Sequence, residues 1–363
     1  AKTRSYLRFK GLAFDDCVPS ARQLYTTIRR AVGRMIMPTV RLPDGTWLQD
    51  SSTIIDRLEA QHPEPSIHPP GPSQRLASLL LELHADEWLP IVAMHTRWNQ
   101  PANAAFARQE FGRYAFPWLP GPLGKRLSRG MANKMQSYLP RLGVHPETAP
   151  GIERFTRELI ARLDLHFTQH SFLLGGRPAL GDFALFGPLW AHVYRDPATA
   201  PLFDDAPAVR AWMDRMLQPG EQRGDFLPED EVPGTLDPIF ETVFAEHFVF
   251  IQALVEAIDA WCSQSPDAPR VPRSLGDHPF TIGGIEGQRR LITFTQWMLQ
   301  RPLDAYQGLA EVERETVDAW LVRVGGLDAM QLQVKNRFTV RDFQICLEAS
   351  APPETPGEAL EAT

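Results

Sequence analysis

A proline-rich segment at residues 62–72 divides this 363-residue chain into regions that cannot share one pattern of secondary structure. Five of its eleven residues are proline, which lacks the backbone N–H that helices and sheets use. We therefore predict a linker there. Before it, short β-favouring stretches alternate with helical patterns, whereas the patterns after it are helical alone as far as about residue 217.

The region before the linker, residues 1–62, is predicted to be a mixed α/β unit, which we call the N-terminal unit. β-favouring residues flank Asp44-Gly45, and Asp-Gly supplies the positive φ that a tight hairpin turn requires. Asp50 and Ser51 then stand where a helix N-cap belongs. The predicted order is a helix at 2–10, a strand at 12–17, a helix at 20–31, a hairpin at 39–49 and a helix at 51–61.

Beyond the linker we predict an all-helical unit at 73–217, a second linker at 218–234 that is rich in Pro and Gly, and a third unit at 235–348. The third unit begins with a helix whose apolar stripe is too wide for a helix exposed on one side. We therefore expect it to be buried, with the third unit packed against the helical unit. The other predictions are a strand at 280–282, a Gly-Gly turn at 283–284, helices near 289–300 and 311–324, and a disordered tail at 349–363.

The composition argues against several kinds of protein. A net charge of −7 disfavours a nucleic-acid-binding domain. The three cysteines, Cys17, Cys262 and Cys346, lie far apart and without metal-ligand spacing, so neither a disulfide framework nor a zinc site is expected. No apolar run approaches the roughly 20 residues that span a bilayer. We therefore expect a soluble protein of a reducing compartment that binds neither membrane nor metal.

Two short motifs give the chain a resemblance to the glutathione S-transferase family. Met37-Pro38 stands where that family has a cis-proline, and the residue before that proline pairs its backbone with the cysteinyl part of glutathione. Gln49-Asp50-Ser51 stands where the family binds the γ-glutamyl ammonium and carboxylate. The free N–H groups and positive dipole of a helix N-terminus suit a carboxylate. Ordinary N-capping by Asp50 or Ser51 is the alternative explanation of this second motif.

A third match is a folding motif in the helical unit. The family begins a buried helix with a Ser or Thr cap and an Asp three residues later. Here Ala179 takes the place of the cap and Asp182 that of the aspartate. This departure is expected to weaken the cap by about 1 kcal/mol.

The chain departs from the family most at its beginning. Family members start with a strand and a loop whose Ser, Cys or Tyr hydrogen-bonds the glutathione sulfur, and this chain starts at the helix that follows. We therefore expect it to be part of a longer protein, and the catalytic residue is unknown. Thr3, Ser5 and Tyr6 are the nearest hydroxyls, but they fall inside the predicted helix.

The resemblance implies a thioredoxin-like α/β N-terminal part followed by an all-α domain, to which this chain adds an α-rich α+β extension. It implies a cytoplasmic homodimer that detoxifies apolar electrophiles by conjugating them to glutathione, which is the co-substrate. The glutathione-binding residues would be Met37, Pro38, Gln49, Asp50 and Ser51. Two alternatives remain: a glutathione-dependent thiol-disulfide oxidoreductase, which a cysteine in the front loop would indicate, and a non-catalytic scaffold that binds a ligand or partner.

Overall fold

The structure is a computed structural model that describes residues 1–218, 224–266, 268 and 270–348. The predicted tail at 349–363 lies outside the described residues, as does part of the second linker. The N-terminal unit consists of α1 (Lys2–Phe9), α2 (Ala21–Gln23), a π-helical turn (Leu24–Ile28), α3 (Arg29–Val32), β1 (Thr39–Arg41), β2 (Trp47–Gln49) and α4 (Ser51–Gln61).

Local residues start and end most of these elements as the sequence predicts. Gly11, at a φ of +64°, follows the end of α1, a conformation that glycine adopts readily. Ser20 and Gln23 form a capping box at the start of α2. The predicted strand at 12–17 is wrong, since those residues form no regular element. A strand needs a partner, and β1 and β2 pair only with each other.

The helical unit contains helices and no named strand among its residues. Its helices are α5 (Pro72–Leu83), a π-helical turn (His84–Trp88), α6 (Pro90–Asn99), α7 (Pro101–Ala115), α8 (Gly121–Leu127), α9 (Arg129–Gln136), a 3-10 turn (Pro140–Leu142), α10 (Ala149–Phe167), α11 (Leu180–Pro188), a π-helical turn (Leu189–Tyr194), a 3-10 turn (Ala200–Phe203) and α12 (Pro207–Leu217).

The predicted role of Asp182 as a folding residue is confirmed at the start of α11. Its Oδ2 accepts the Ala179 N–H at 2.9 Å, so the aspartate half of the capping box is present. The Ala179 methyl group has no acceptor and cannot complete the other half. Asp182 Oδ1 instead accepts the N–H of Leu173 and Nε1–H of Trp212. The carboxyl group thus connects three segments of the helical core.

The third unit combines helices with two hairpins. Its elements are a 3-10 turn (Gly234–Leu236), α13 (Asp237–Thr242), a π-helical turn (Val243–Phe248), α14 (Val249–Gln264), β3 (Ser274–Ile282), β4 (Ile285–Ile292), α15 (Phe294–Gln307), α16 (Glu311–Arg323), α17 (Leu327–Met330), β5 (Phe338–Arg341) and β6 (Gln344–Leu347). The predicted Gly-Gly turn joins β3 to β4. The predicted helix near 289–300 is wrong in its first part, because residues 289–292 pair with β3.

One helical run in the described residues, Pro228–Gln264, is long and apolar enough by length and composition to cross a membrane. Within its apolar window, 56% of the residues are buried inside the protein. Core helices of globular proteins meet the same criterion. The predicted burial of this apolar stripe is confirmed, since Phe240, Val243, Ile251 and Leu254 are all fully buried.

The third unit packs against the helical unit, as its apolar helix predicted. Helix α5 contacts α11 of its own unit and both α15 and α16 of the third unit. Helix α4 of the N-terminal unit reaches the same region, because Asp56 on α4 and Glu82 on α5 both pair with Arg301 on α15. A single hydrophobic core includes buried residues of all three units.

Candidate functional site

The predicted glutathione-binding residues come together at one end of the β1–β2 hairpin. Thr39 pairs with Gln49 in antiparallel register. Antiparallel pairing brings the residues before β1 and those after β2 to the same end of the hairpin. Met37-Pro38 and Asp50-Ser51 therefore occupy one end of the N-terminal unit, where helix α4 begins.

Met37 presents an unpaired backbone at this end. The Met37–Pro38 peptide bond is cis, as predicted, and the Met37 side chain is 48% exposed. Neither the N–H nor the C=O of Met37 has a hydrogen-bond partner among the described residues. This backbone edge is therefore available to an extended peptide in the manner of an added strand.

Asp50 holds a backbone conformation that favours glycine. Its φ is +79° and its ψ is 135°, and such a residue costs on the order of 1–3 kcal/mol and is typical of functional sites. Its Oδ1 accepts the N–H groups of Ser52 at 2.9 Å and Thr53 at 3.1 Å, so Asp50 is the N-cap of α4. Burial raises the pKa of Asp50, opposed by the Thr53 N–H and by Lys2.

Ser51 has donors that the fold leaves free. Its hydroxyl and its N–H make no hydrogen bond within the part of the chain that the structure describes, and its side chain is half-buried. Since Asp50 is the N-cap of α4, the alternative that Ser51 serves as the cap does not hold. Gln49, also half-buried, makes no side-chain hydrogen bond to the described residues. A hydroxyl and an N–H at a helix N-terminus are suitable donors for a carboxylate.

Directly behind the site lies a buried cluster of charges that the sequence analysis did not find. Lys2 Nζ lies 3.1 Å from Ser52 Oγ, 2.7 Å from Glu82 Oε1 and 2.6 Å from Asp86 Oδ2. Burial alone would raise the pKa of Glu82, but Lys2 and Arg301 lower it to about 2. The sequence does contain one indication of the cluster, because Glu82 interrupts the apolar run Leu79-Leu80-Leu81 and Leu83. A charge on an apolar helix face needs a buried partner.

Two of the three hydroxyls nearest the front of the chain, those of Ser5 and Tyr6, serve the packing of α1. The Ser5 hydroxyl donates to the Met216 carbonyl at 2.5 Å, and the Tyr6 hydroxyl donates to Glu59 Oε1 at 2.7 Å. Burial, together with Glu59, raises the pKa of Tyr6. Thr3 is buried in the same helix, and its hydroxyl has no hydrogen-bond partner among the described residues. Ser5 and Tyr6 are thus structural residues, and neither has a hydroxyl free to hold a thiolate.

No metal centre accompanies this arrangement in residues 1–218, 224–266, 268 and 270–348. None of the His, Cys, Asp and Glu side chains there form a group of three or more that could hold a metal ion.

Two family models match the chain. Residues 1–61 match the glutathione S-transferase N-terminal domain, and residues 154–215 match the glutathione S-transferase C-terminal domain. The chain is therefore similar to glutathione S-transferases over these two segments, which together make up about a third of it. Its fold is accordingly a thioredoxin-like N-terminal part followed by an all-helical domain.

Three solved structures are similar to part of the chain. The β-etherase LigF from Sphingobium sp. strain SYK-6 is 21% identical, with a TM-score of 0.39, over 59% of this chain and 88% of that chain. A glutathione S-transferase from Methylobacterium radiotolerans JCM 2831, in complex with glutathione sulfonate, is 21% identical with a TM-score of 0.32, over 62% and 92% of the two chains. A glutathione S-transferase from Xanthobacter autotrophicus Py2 is 20% identical with a TM-score of 0.31, over 66% and 93%. No curated protein matches the chain.

Proposed function

We propose that this protein binds glutathione at the end of the β1–β2 hairpin and conjugates it to an apolar electrophile. The observation on which the proposal rests is Ser51, whose hydroxyl and N–H are both free at the N-terminus of α4. They lie beside a backbone edge at Met37 that is equally free. A peptide that carries a carboxylate can engage both sets of donors at once.

Each polar part of glutathione has a matching group in this arrangement. The γ-glutamyl carboxylate accepts hydrogen bonds from Ser51, favoured by the positive end of the α4 dipole. The ammonium pairs with Asp50, whose Oδ1 caps the helix and whose Oδ2 accepts no hydrogen bond from the described residues. The cysteinyl backbone pairs with Met37 in an antiparallel, strand-like manner.

In the reaction, the thiol of bound glutathione loses its proton to solvent and the thiolate attacks the electrophilic carbon. A carbon–sulfur bond forms, and the leaving group departs with the electron pair of the bond that breaks. Binding contributes by holding the nucleophile and the electrophile together in one orientation. The described residues provide the groups that hold glutathione, and we assign the stabilisation of the thiolate to none of them.

The apolar character of the electrophile is supported by the surface beside the site. Met35, Ile36 and Met37 form a run of exposed apolar side chains, at 48%, 39% and 48% exposure. Exposed apolar side chains that cluster beside a binding site are typical of a surface that receives an apolar ligand.

The decisive experiment measures glutathione binding by calorimetry for the wild-type protein and for Ser51→Ala. We expect the variant to bind about 10- to 100-fold more weakly, because a hydrogen bond to a charged group contributes about 1.5–3 kcal/mol. Its free energy of unfolding should change by less than about 1 kcal/mol, since the Asp50 cap remains. Ser137→Ala, which removes an exposed serine hydroxyl in the turn after α9, is the control. Unchanged affinity in Ser51→Ala would contradict the assignment of the site.

The reaction is tested separately with glutathione and an aromatic halide. Formation of the thioether with release of halide supports conjugation. Turnover of a glutathione mixed disulfide alone would replace conjugation by disulfide exchange, and binding without turnover of either would indicate a scaffold. The matches to the two glutathione S-transferase domains are the basis on which we also propose a cytoplasmic homodimer that detoxifies electrophiles.

A further inference from the structure

Arg301 on α15 extends from the third unit into contact with both other units. Its guanidinium donates to both carboxylate oxygens of Asp56 on α4 and, at 3.1 Å, to Glu82 Oε2 on α5. The side chains of Arg301 and Glu82 are only 17% and 1% exposed. The bidentate partner, Asp56, is 41% exposed, so the enclosed contact is the one with Glu82. Together the two carboxylates fix the position of α15 against α4 and α5.

Glu82 continues this connection to the first turn of α4. While Oε2 takes Arg301, Oε1 accepts the Ser52 hydroxyl at 2.7 Å and pairs with Lys2 at 2.7 Å. Ser52 directly follows Ser51, and its N–H donates to Asp50 Oδ1 at 2.9 Å. Two side chains therefore separate Arg301 from the residues that hold the γ-glutamyl group in the proposed complex.

The charges in the cluster make Arg301 necessary to this arrangement. Lys2 pairs with both Glu82 and Asp86, and Arg301 pairs with Glu82 and Asp56. Without Arg301, Asp56 would lose its guanidinium partner and Glu82 would share a single ammonium with Asp86. The buried carboxylate of Glu82 would then be repelled by Asp86 and would draw in water. The first turn of α4 would then be free to move away from α5.

We propose that Arg301 is a positioning residue for glutathione: through Glu82 and Asp56 it holds the first turn of α4 so that Asp50 and Ser51 face the ligand. The third unit is then part of the glutathione site and not a separate module. This inference rests on the proposed function, because it assumes that glutathione binds at Ser51.

The test compares Arg301→Met and Arg301→Lys with Arg290→Met. Arg290 forms a bidentate pair with Asp277 inside the β3–β4 hairpin. It therefore makes the same kind of ion pair as Arg301 but does not contact the N-terminal unit. Circular dichroism first confirms that each variant is folded at the temperature of the assay. Calorimetry then gives the affinity for glutathione, and steady-state kinetics gives KM for each substrate and kcat.

For Arg301→Met we expect glutathione affinity to fall roughly ten-fold, within the range seen for residues that act on a site through another residue. KM for glutathione should rise, while KM for the electrophile stays within about two-fold of the wild type. Arg301→Lys should recover part of the affinity, because it keeps the charge but not the bidentate geometry. Adding Glu82→Gln to Arg301→Met should cost less than the sum of the two single losses.

The outcomes separate this inference from the proposed function. If the wild-type protein binds glutathione and Ser51→Ala weakens it, but Arg301→Met and Arg301→Lys bind like Arg290→Met, then Arg301 is only a structural contact. If Arg301→Met raised KM for glutathione and KM for the electrophile equally, Arg301 would likewise be only a structural contact. If the wild-type protein binds no glutathione, the proposed function fails and this inference fails with it.

Discussion

Two glutamates on the same helical run, Glu82 and Glu87, have opposite electrostatic surroundings. Glu82 meets Lys2 and Arg301, which lower its pKa to about 2 against the effect of burial. Glu87 accepts one hydroxyl, that of Thr295, and burial raises the pKa of Glu87 to about 8. The difference shows that the partners of a buried carboxyl group, more than burial itself, decide whether it is ionised.

Glu87 should therefore make the stability of the protein depend on pH. A carboxyl group whose pKa is higher in the folded state than in the unfolded state contributes stability at low pH. That contribution is lost as pH rises from the unfolded-state pKa to the folded-state pKa, and we call this range the window. For Glu87 the window runs from its ordinary value of 4.5 to about 8. We expect Glu87→Gln, which stays neutral, to match the wild type near pH 4, below the window, and to exceed its unfolding free energy by a few kcal/mol near pH 9, since each pKa unit corresponds to about 1.4 kcal/mol.

Urea unfolding at a series of pH values measures this difference. Glu315→Gln, at an exposed position on α16, is the control and should follow the wild type throughout. If the unfolding free energies of the wild type and of Glu87→Gln changed with pH in the same way, Glu87 would be ionised in the folded protein at neutral pH.

At the scale of elements, glycine allows α10 and the β3–β4 hairpin to touch through their backbones. A Cβ on Gly151 of α10 would lie 2.3 Å from the Ile282 carbonyl oxygen. A Cβ on Gly283, in the hairpin turn, would lie 2.3 Å from the Gly151 carbonyl oxygen. No side chain can be accommodated at that distance without moving one element away from the other. The contact joins the helical unit to the third unit.

The same substitution in two helices should thus have opposite effects. Gly151→Ala is expected to lower the free energy of unfolding by about 1–3 kcal/mol, because backbone atoms must move. In Gly130→Ala, in α9, the added Cβ has no atom within 4 Å. This substitution should raise the free energy of unfolding by up to about 1 kcal/mol, the difference in helix propensity between glycine and alanine. Chemical denaturation of the two variants gives both values. Stabilisation by Gly151→Ala would mean that α10 and the hairpin are not in close contact.

At the scale of the whole molecule, α5 is enclosed by elements from distant parts of the sequence. Almost every residue from Ser73 to Leu83 is buried, and the helix contacts α11, α15 and α16. A helix that is apolar over so much of its surface is not stable when one side faces water. The third unit therefore completes the fold of the helical unit.

Removal of the third unit tests this dependence. A chain that ends at Gly220 should expose the side of α5 that α15 covers, and we expect it to change its oligomeric state and to lose glutathione affinity. Light scattering and the binding of an apolar dye measure the first effect, and calorimetry the second. A chain that ends at Glu348 is the control. An unaltered scattering mass per chain together with unaltered ligand binding would make the third unit an independent module.

The sequence by itself determined the features that depend on neighbouring residues. The hairpin follows from Asp44-Gly45, and the start of α2 follows from Ser20 and Gln23. The start of α4 follows from Asp50. These features could be predicted because a turn or a cap is formed within a few residues. The wide apolar stripe at the start of the third unit likewise predicted its burial.

Only the tertiary structure decided the features that depend on distant partners. Residues 12–17 have strand propensity but form no strand, because no strand of the described residues pairs with them. Residues 289–292 have a helical pattern in the sequence but form a strand, because β3 lies beside them. Asp50, and not Ser51, became the cap, which left Ser51 free for a ligand. Arg301 and Glu82 are 219 positions apart in the sequence. Neither residue alone indicates the pair, because an ion pair exists only where the fold brings two charges together and excludes water from them.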